Sequence, residues 1–78
     1  MSRQQVEKII EKRLKSIKGV ERFYIEKKNQ GSIDVVVVLS RLDDSKITSQ
    51  ILTFETKINK DYKIPSDFKL YPSGALAL

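Results

Sequence analysis

The chain has 78 residues, a formal net charge of +5 at pH 7, and neither cysteine nor histidine. Its length allows one domain with one core, and the missing residue types exclude disulfide bonds, Cys/His zinc sites, cysteine nucleophiles and histidine bases. No run approaches the roughly 18 to 20 apolar residues of a membrane span, and the charged N-terminus lacks the apolar region of a signal peptide. We therefore expect a small basic protein without a cofactor, located in the cytoplasm, where disulfides are rare.

Apolar residues recur at steps of three and four between Val6 and Ile17, which predicts an amphipathic helix. Ser2 has the spacing of a capping box with the glutamine three positions later. Gly19 can adopt the left-handed conformation that often ends a helix. We expect this helix to end at about Lys18.

The next segment, residues 20–27, has the pattern of a β-strand. Alternation places Phe23 and Ile25 on one face, and Val20, Arg22, Tyr24 and Glu26 on the other. Residues 28–32 include asparagine and glycine, which tolerate the backbone angles of a turn. The following strand should therefore return antiparallel as a hairpin.

Residues 33–39 form the longest β-branched and aliphatic run of the chain. Such a run is typical of a central strand that is covered on both faces. Ile33, Val35, Val37 and Leu39 share one face without a polar member, so we assign that face to the helix-covered core.

A second helix is predicted from Asp44 to about Asn59, with apolar residues at steps of four and three. Asp43 is the expected N-cap, and Leu42 and Ile47 take the two positions of a hydrophobic staple. Pro65 prevents the helix from continuing.

Residues 67–71 alternate and predict a third strand, with Phe68 and Leu70 facing the core and Lys69 and Tyr71 facing away. Residues 1–72 would then form a single α-β-β-α-β domain, and residues 73–78 a C-terminal tail.

This element order predicts an α+β two-layer sandwich. A right-handed crossover through the second helix makes the third strand parallel to the second, which gives a three-stranded mixed sheet of order 1-2-3. Both helices should pack on one face of the sheet, because each has a single apolar stripe that needs the same sheet.

The uncovered sheet face is the first candidate site. It should carry six side chains, two of them tyrosines and two of them valines: Arg22, Tyr24, Val36, Val38, Lys69 and Tyr71. A monomer rarely leaves such an apolar face uncovered, and aromatic residues with arginine are typical of interface cores. We therefore predict a homodimer that forms through this face or the adjoining edge strand.

The first helix is the second candidate site. Lys8, Lys12 and Lys15 follow one another at steps of four and three, opposite the apolar stripe. Such a ridge can contact the phosphates of a nucleic acid. Lysine-rich helix faces are more often only solvated, and the aromatic residues that would stack on bases lie elsewhere. Polyanion binding is therefore the alternative hypothesis.

Acidic residues offer weaker candidates. Asp43 and Asp44 are too few ligands for a metal site, and capping of a helix explains them. Glu26, Asp34 and Asp67 should share the polar side of the sheet, but paired-carboxylate catalysis also needs a pocket. We predict a non-catalytic regulatory or interaction module.

Four stretches together resemble the cytoplasmic C-terminal domain of cation diffusion facilitator transporters: Ile17 to Val20, Gly31 with Ile33-Asp34-Val35, Ile51 through Glu55 to Ile58, and Phe68 to Pro72. The resemblance implies an α-β-β-α-β module that dimerises. Members of that family often bind zinc through histidines, and this chain has no histidine. The resemblance therefore implies a fold and a dimer for this chain; it does not carry over the zinc site, whose histidine ligands are missing.

Overall fold

The computed structural model describes residues 2–27, 31–41 and 43–74. Its elements are, in chain order, α1 (Arg3–Ser16), β1 (Val20–Glu26), β2 (Ile33–Leu39), α2 (Ser45–Tyr62) and β3 (Ser66–Pro72). The predicted α-β-β-α-β order is confirmed. Neither described helix combines the length and the apolar character that crossing a membrane requires.

The sheet has the order β1-β2-β3, with β1 antiparallel and β3 parallel to the central strand β2. This is the predicted mixed sheet with a crossover through α2. One face of the sheet and the two helices enclose a single core, whose buried members include Val6, Ile10 and Leu14 of α1, Ile51, Phe54 and Ile58 of α2, and Ile33, Val35, Val37 and Leu39 of β2. The α+β two-layer sandwich with both helices on one face is confirmed.

A β-bulge interrupts the pairing at the start of β1. Val20 pairs with Leu39 and Arg22 with Val38, so one extra residue lies between them. The bulge turns Val20 towards the helices, where it packs against the core. The prediction that put Val20 on the open face is wrong, because strict alternation fails wherever a strand contains an extra residue.

The start of α1 agrees with the predicted capping box, and its end does not agree with the predicted C-cap. Ser2 Oγ accepts from the Gln5 main-chain N–H at 3.3 Å, and Gln5 Oε1 accepts from the Ser2 N–H at 2.8 Å. The helix ends at Ser16, two residues earlier than expected, and Ile17 is its extended C-cap. Gly19 instead has φ +99° in the turn into β1, against the Ile47 side chain.

The start of α2 corrects a second prediction. Asp44 is the N-cap: its Oδ1 accepts from the main-chain N–H groups of Lys46 and Ile47 at 3.0 and 3.3 Å. Asp43 does not cap the helix and pairs with Arg41. Leu42, the predicted residue of the hydrophobic staple, lies outside the described residues.

The ends of α2 and β3 extend beyond the predicted bounds. The helix continues to Tyr62, and Lys63, with φ 55°, takes the left-handed conformation that closes it. β3 is one residue longer at each end, and the Ser73 N–H then donates to the Leu39 carbonyl at 2.8 Å. Residues 75–78 of the predicted tail and residues 28–30 of the predicted turn lie outside the described residues.

Candidate interaction surfaces

The open face of the sheet carries three rows of side chains across the strands. The register aligns Arg22 with Val38 and Tyr71, Tyr24 with Val36 and Lys69, and Glu26 with Asp34 and Asp67. The first two rows contain the six residues of the predicted self-association face. The structure thus places these six at neighbouring positions, beside an acidic row.

The exposure of this face differs from row to row and from residue to residue. Val38 is only 1% exposed, although it lies outside the core that the helices cover. In its row it lies between the longer side chains of Arg22 and Tyr71. Tyr24 is 47% exposed. The two valines therefore offer less apolar surface than the sequence pattern predicts, and the main apolar surface of the face is at Tyr24 on the outer strand.

The acidic row does not make a metal site. Glu26 lies opposite Asp34, which lies beside Asp67, so three carboxylates follow one another across the sheet. Within the part of the chain that the structure describes, no group of three or more histidine, cysteine, aspartate or glutamate side chains could hold a metal ion. The row instead gives one end of the open face a negative charge.

The outer edge of β3 is partly blocked by side chains of α2. Asn59 Oδ1 accepts from the Ser66 main-chain N–H at 2.6 Å, and Asn59 Nδ2 donates to the Ser66 carbonyl at 3.3 Å. Glu55 Oε2 accepts from the Phe68 N–H at 2.7 Å. These main-chain groups would otherwise be free to pair with another strand. The sequence pattern did not identify Glu55 and Asn59 as residues that block the edge. The only sign of this role in the sequence is that the two polar side chains lie four positions apart, beside the apolar stripe of α2.

Among the described residues, no side chain blocks the outer edge of β1 in a comparable way. Main-chain groups alternate in direction along a strand. In β2, the Ile33 N–H donates to Pro65 and the Leu39 carbonyl accepts from Ser73, so the odd-numbered residues point towards β3. The even-numbered residues of β2 therefore bond to their partners in β1, which are Arg22, Tyr24 and Glu26. The main-chain groups of Phe23 and Ile25 consequently point outward from the sheet.

A groove of about 750 Å³ separates the outer sides of α1 and α2. Ile9, Phe54 and Ile58 contribute to its apolar lining. Its charged lining residues are three basic side chains and one acidic one: Lys12, Arg13, Lys57 and Asp61. The Arg13 guanidinium lies 5.9 Å from the centre of the Phe54 ring, within the range of a cation–π contact. The sequence reading missed this groove, because the residues come from two helices that are far apart in the chain.

All three lysines of the predicted ridge, Lys8, Lys12 and Lys15, are exposed on α1. Only Lys12 reaches the groove. The structure therefore leaves the ridge on the outer surface of the helix layer, on the side of the molecule opposite the open face of the sheet.

Arg41 and Asp43 form an exposed two-bond ion pair before α2. Arg41 Nε and Nη2 donate to the two carboxylate oxygens of Asp43 at 3.2 and 3.1 Å. The hydrogen bond and the charge of Arg41 lower the pKa of Asp43, and the same two interactions raise the pKa of Arg41. Both side chains are largely in water, so the pair contributes little to stability.

The described residues define a small two-layer α+β domain with an open sheet face, a β3 edge that is partly blocked, a β1 edge without such a block, and a groove between helices. No protein-family model, curated protein or solved structure matches the chain.

Proposed function

We propose that this chain is a small, non-catalytic regulatory or protein-interaction module that self-associates in the cytoplasm. The observation that carries the proposal is Tyr24, which at 47% is the more exposed of two exposed large hydrophobic side chains among the described residues and lies on the outer strand. A tyrosine ring offers a large apolar area with a polar tip, which is why tyrosine is common in interfaces. Arg22, two positions earlier on the same face, is also typical of interface cores.

The distribution of polar groups favours a non-catalytic role. Glu26, Asp34 and Asp67 lie side by side on an open sheet face, whereas catalytic carboxylates work in a concave site that positions a substrate. The absence of cysteine favours a cytoplasmic location. The resemblance to the transporter C-terminal domain, which implies a dimer, also supports self-association.

Light scattering over a series of protein concentrations tests the proposal. We expect the mass to rise to twice that of one chain. The variant Tyr24→Ser should shift this equilibrium towards the monomer, because it removes the exposed ring. Leu52→Ser is the matched control, since Leu52 is 44% exposed but lies on α2. A monomer at every concentration would contradict the proposal.

Val38 is a poor position for this test. A charge introduced there would be buried, because Val38 is 1% exposed, and it would destabilise the monomer itself. Val36 is only half-buried. The variant Val36→Asp is therefore the better second probe of the open face.

Polyanion binding by α1 is the second candidate function. Its support is the exposure of Lys8, Lys12 and Lys15 on one helix, next to the further positive charges of Arg13 and Lys57 around the groove. A protein that binds phosphates through such lysines releases counterions, so its affinity falls steeply as salt increases.

Fluorescence anisotropy with a labelled DNA or RNA duplex, at low and at moderate salt, tests this second function. The combined variant Lys8→Glu, Lys12→Glu and Lys15→Glu should abolish binding. A control with the same change of net charge is Lys46→Glu, Lys60→Glu and Lys63→Glu on α2 and its C-cap. Equal losses in both variants would show an effect of net charge alone and would exclude the ridge as the binding surface.

A further inference from the structure

The β1 edge can accept another strand only in certain registers. Phe23 and Ile25 present their main-chain groups outward, because Arg22, Tyr24 and Glu26 bond to β2. In an antiparallel pair, hydrogen bonds form only between residues whose groups point at each other. A second copy of β1 must therefore place an outward-pointing residue opposite each of these two. Near the middle of the strand, three two-fold symmetric registers meet this condition. Their axes lie at Phe23, Tyr24 or Ile25.

Charge distinguishes these three registers. With Tyr24 at the centre, Arg22 of each copy lies opposite Glu26 of the other, so two opposite-charge pairs form about the symmetry axis. With Ile25 at the centre, Glu26 instead lies opposite Tyr24. With Phe23 at the centre, Glu26 lies opposite Val20 and Arg22 opposite Tyr24, so this register places no opposite charges across the axis. Only the Tyr24 register is complementary.

The same register also pairs the apolar residues. Tyr24 of one copy would lie opposite Tyr24 of the other on the open face. These two residues would not exchange main-chain hydrogen bonds, and antiparallel pairs of this type are the closer of the two kinds. The two rings would then cover each other, which accounts for the exposure of Tyr24 in the single chain. On the helix side, the half-buried side chains of Phe23 and Ile25 would face each other across the axis.

The bulge and the blocked β3 edge restrict where strands can add. The bulge between Val20 and Arg22 distorts the beginning of β1, so regular pairing begins at Arg22. The side chains of Glu55 and Asn59 occupy main-chain groups at the start of the β3 edge. Addition at β1 is therefore favoured over addition at β3.

We propose that two copies of this chain join their β1 strands antiparallel about a two-fold axis at Tyr24, forming one six-stranded sheet in which Arg22 of each copy pairs with Glu26 of the other. This inference rests on the proposed self-association and names its contact surface. The occupant of the β1 edge is thus a second copy of this chain, and the open faces of both copies lie on the same side of the joined sheet.

The first experiment reverses the charge at each of the two paired positions in a separate variant. In Arg22→Glu, both pairs become two glutamates, and in Glu26→Arg, both become two arginines. Each variant alone should dimerise about tenfold more weakly, because like charges directly opposite each other destabilise a strand pair. An equal mixture should form a heterodimer, since every Arg–Glu pair is restored between the two variants. Native mass spectrometry of each variant and of the mixture measures this.

Lys69→Glu is the control, because it also reverses a positive charge on the open face but lies on β3, two strands from the proposed contact. Its dimer should be unchanged. If both single-charge variants dimerise as well as the wild type, the register is wrong while self-association stands. If the wild type is a monomer at every concentration, the proposed function fails as well.

A cross-linking experiment tests the register without relying on charge. The chain has no native cysteine, so a single introduced cysteine reports one contact. Opposite positions at the axis are close enough for a disulfide. Loss of the Tyr24 ring weakens association, but in Tyr24→Cys the disulfide traps the dimers that still form, so a covalent dimer should accumulate under mild oxidation. Lys69→Cys should remain monomeric on the same gel. Cross-linking of Lys69→Cys but not of Tyr24→Cys would overturn the edge contact and indicate a face-to-face dimer.

Discussion

Asn59 on α2 and Ser66 at the start of β3 form three hydrogen bonds with each other. Asn59 Oδ1 accepts from the Ser66 main-chain N–H at 2.6 Å and from the Ser66 hydroxyl at 3.0 Å, and Asn59 Nδ2 donates to the Ser66 carbonyl at 3.3 Å. A single side chain thus satisfies both outward main-chain groups where the edge strand begins. The contact fixes the connection from the crossover helix to the strand that follows it.

Asn59→Ala should lower the free energy of unfolding by about 1 to 2 kcal/mol, because it leaves partly buried main-chain groups without their partner. Urea denaturation followed by circular dichroism measures this. Lys60→Ala, at the exposed neighbouring position, is the control and should change little. An equal effect of the two substitutions would mean that the contact does not stabilise the fold.

Glu55→Leu should expose the Phe68 N–H to faster hydrogen exchange, because Glu55 Oε2 accepts from it at 2.7 Å. Glu55→Gln retains an acceptor oxygen and should preserve much of the protection. Amide exchange measured by NMR at the Phe68 position tests both variants. Unchanged exchange in Glu55→Leu would show that another group protects this edge.

Gly19→Ala should destabilise the domain by about 1 to 3 kcal/mol, since the residue has φ +99° and an added Cβ would collide with Ile47 Cδ1. Gly74→Ala is the matched control: it has a similar φ of +93° but open space around the added carbon. It should cost less, because only the backbone strain remains. Thermal unfolding of both variants checks the difference, and a larger loss in Gly74→Ala would contradict it.

Asp44→Ala should cost about 1 kcal/mol through the lost cap of α2, because the carboxylate accepts from two main-chain N–H groups there. Asp43→Ala should change stability little, since the Asp43 pair with Arg41 is exposed. Chemical denaturation of the two variants distinguishes the true cap from its neighbour. A larger loss in Asp43→Ala would restore the capping role that the sequence pattern assigned to it.

The pKa of Asp43 should rise towards its ordinary value in Arg41→Gln, because the hydrogen bond and the charge of Arg41 hold it down. A carboxyl whose pKa is lower in the folded than in the unfolded protein stabilises the fold above the ordinary aspartate range, and this contribution is lost as the pH falls through the folded pKa. NMR titration of the Asp43 carboxyl measures the shift. An identical titration curve in the variant would contradict this account of the pair.

Much of the fold could be predicted because its signals are local and periodic. Steps of three and four identify α1 and α2, alternation identifies the strands, and the valine run identifies β2 as central. The right-handed crossover then leaves one sheet order. The six residues of the open face follow from the same alternation. Alternation fails only at Val20, which the bulge turns away from the face that the strand pattern assigned to it.

The details of the surfaces could not be predicted in this way, because they depend on contacts between residues that are distant in the chain. The near-complete burial of Val38, the block on the β3 edge by Glu55 and Asn59, and the groove between the helices all involve neighbours from other elements. The sequence by itself determined the elements, their order and the composition of each face, since these follow from repeats along one segment. Only the tertiary structure decided which main-chain edge stays open and how much of each side chain remains exposed, because register and packing exist only between segments.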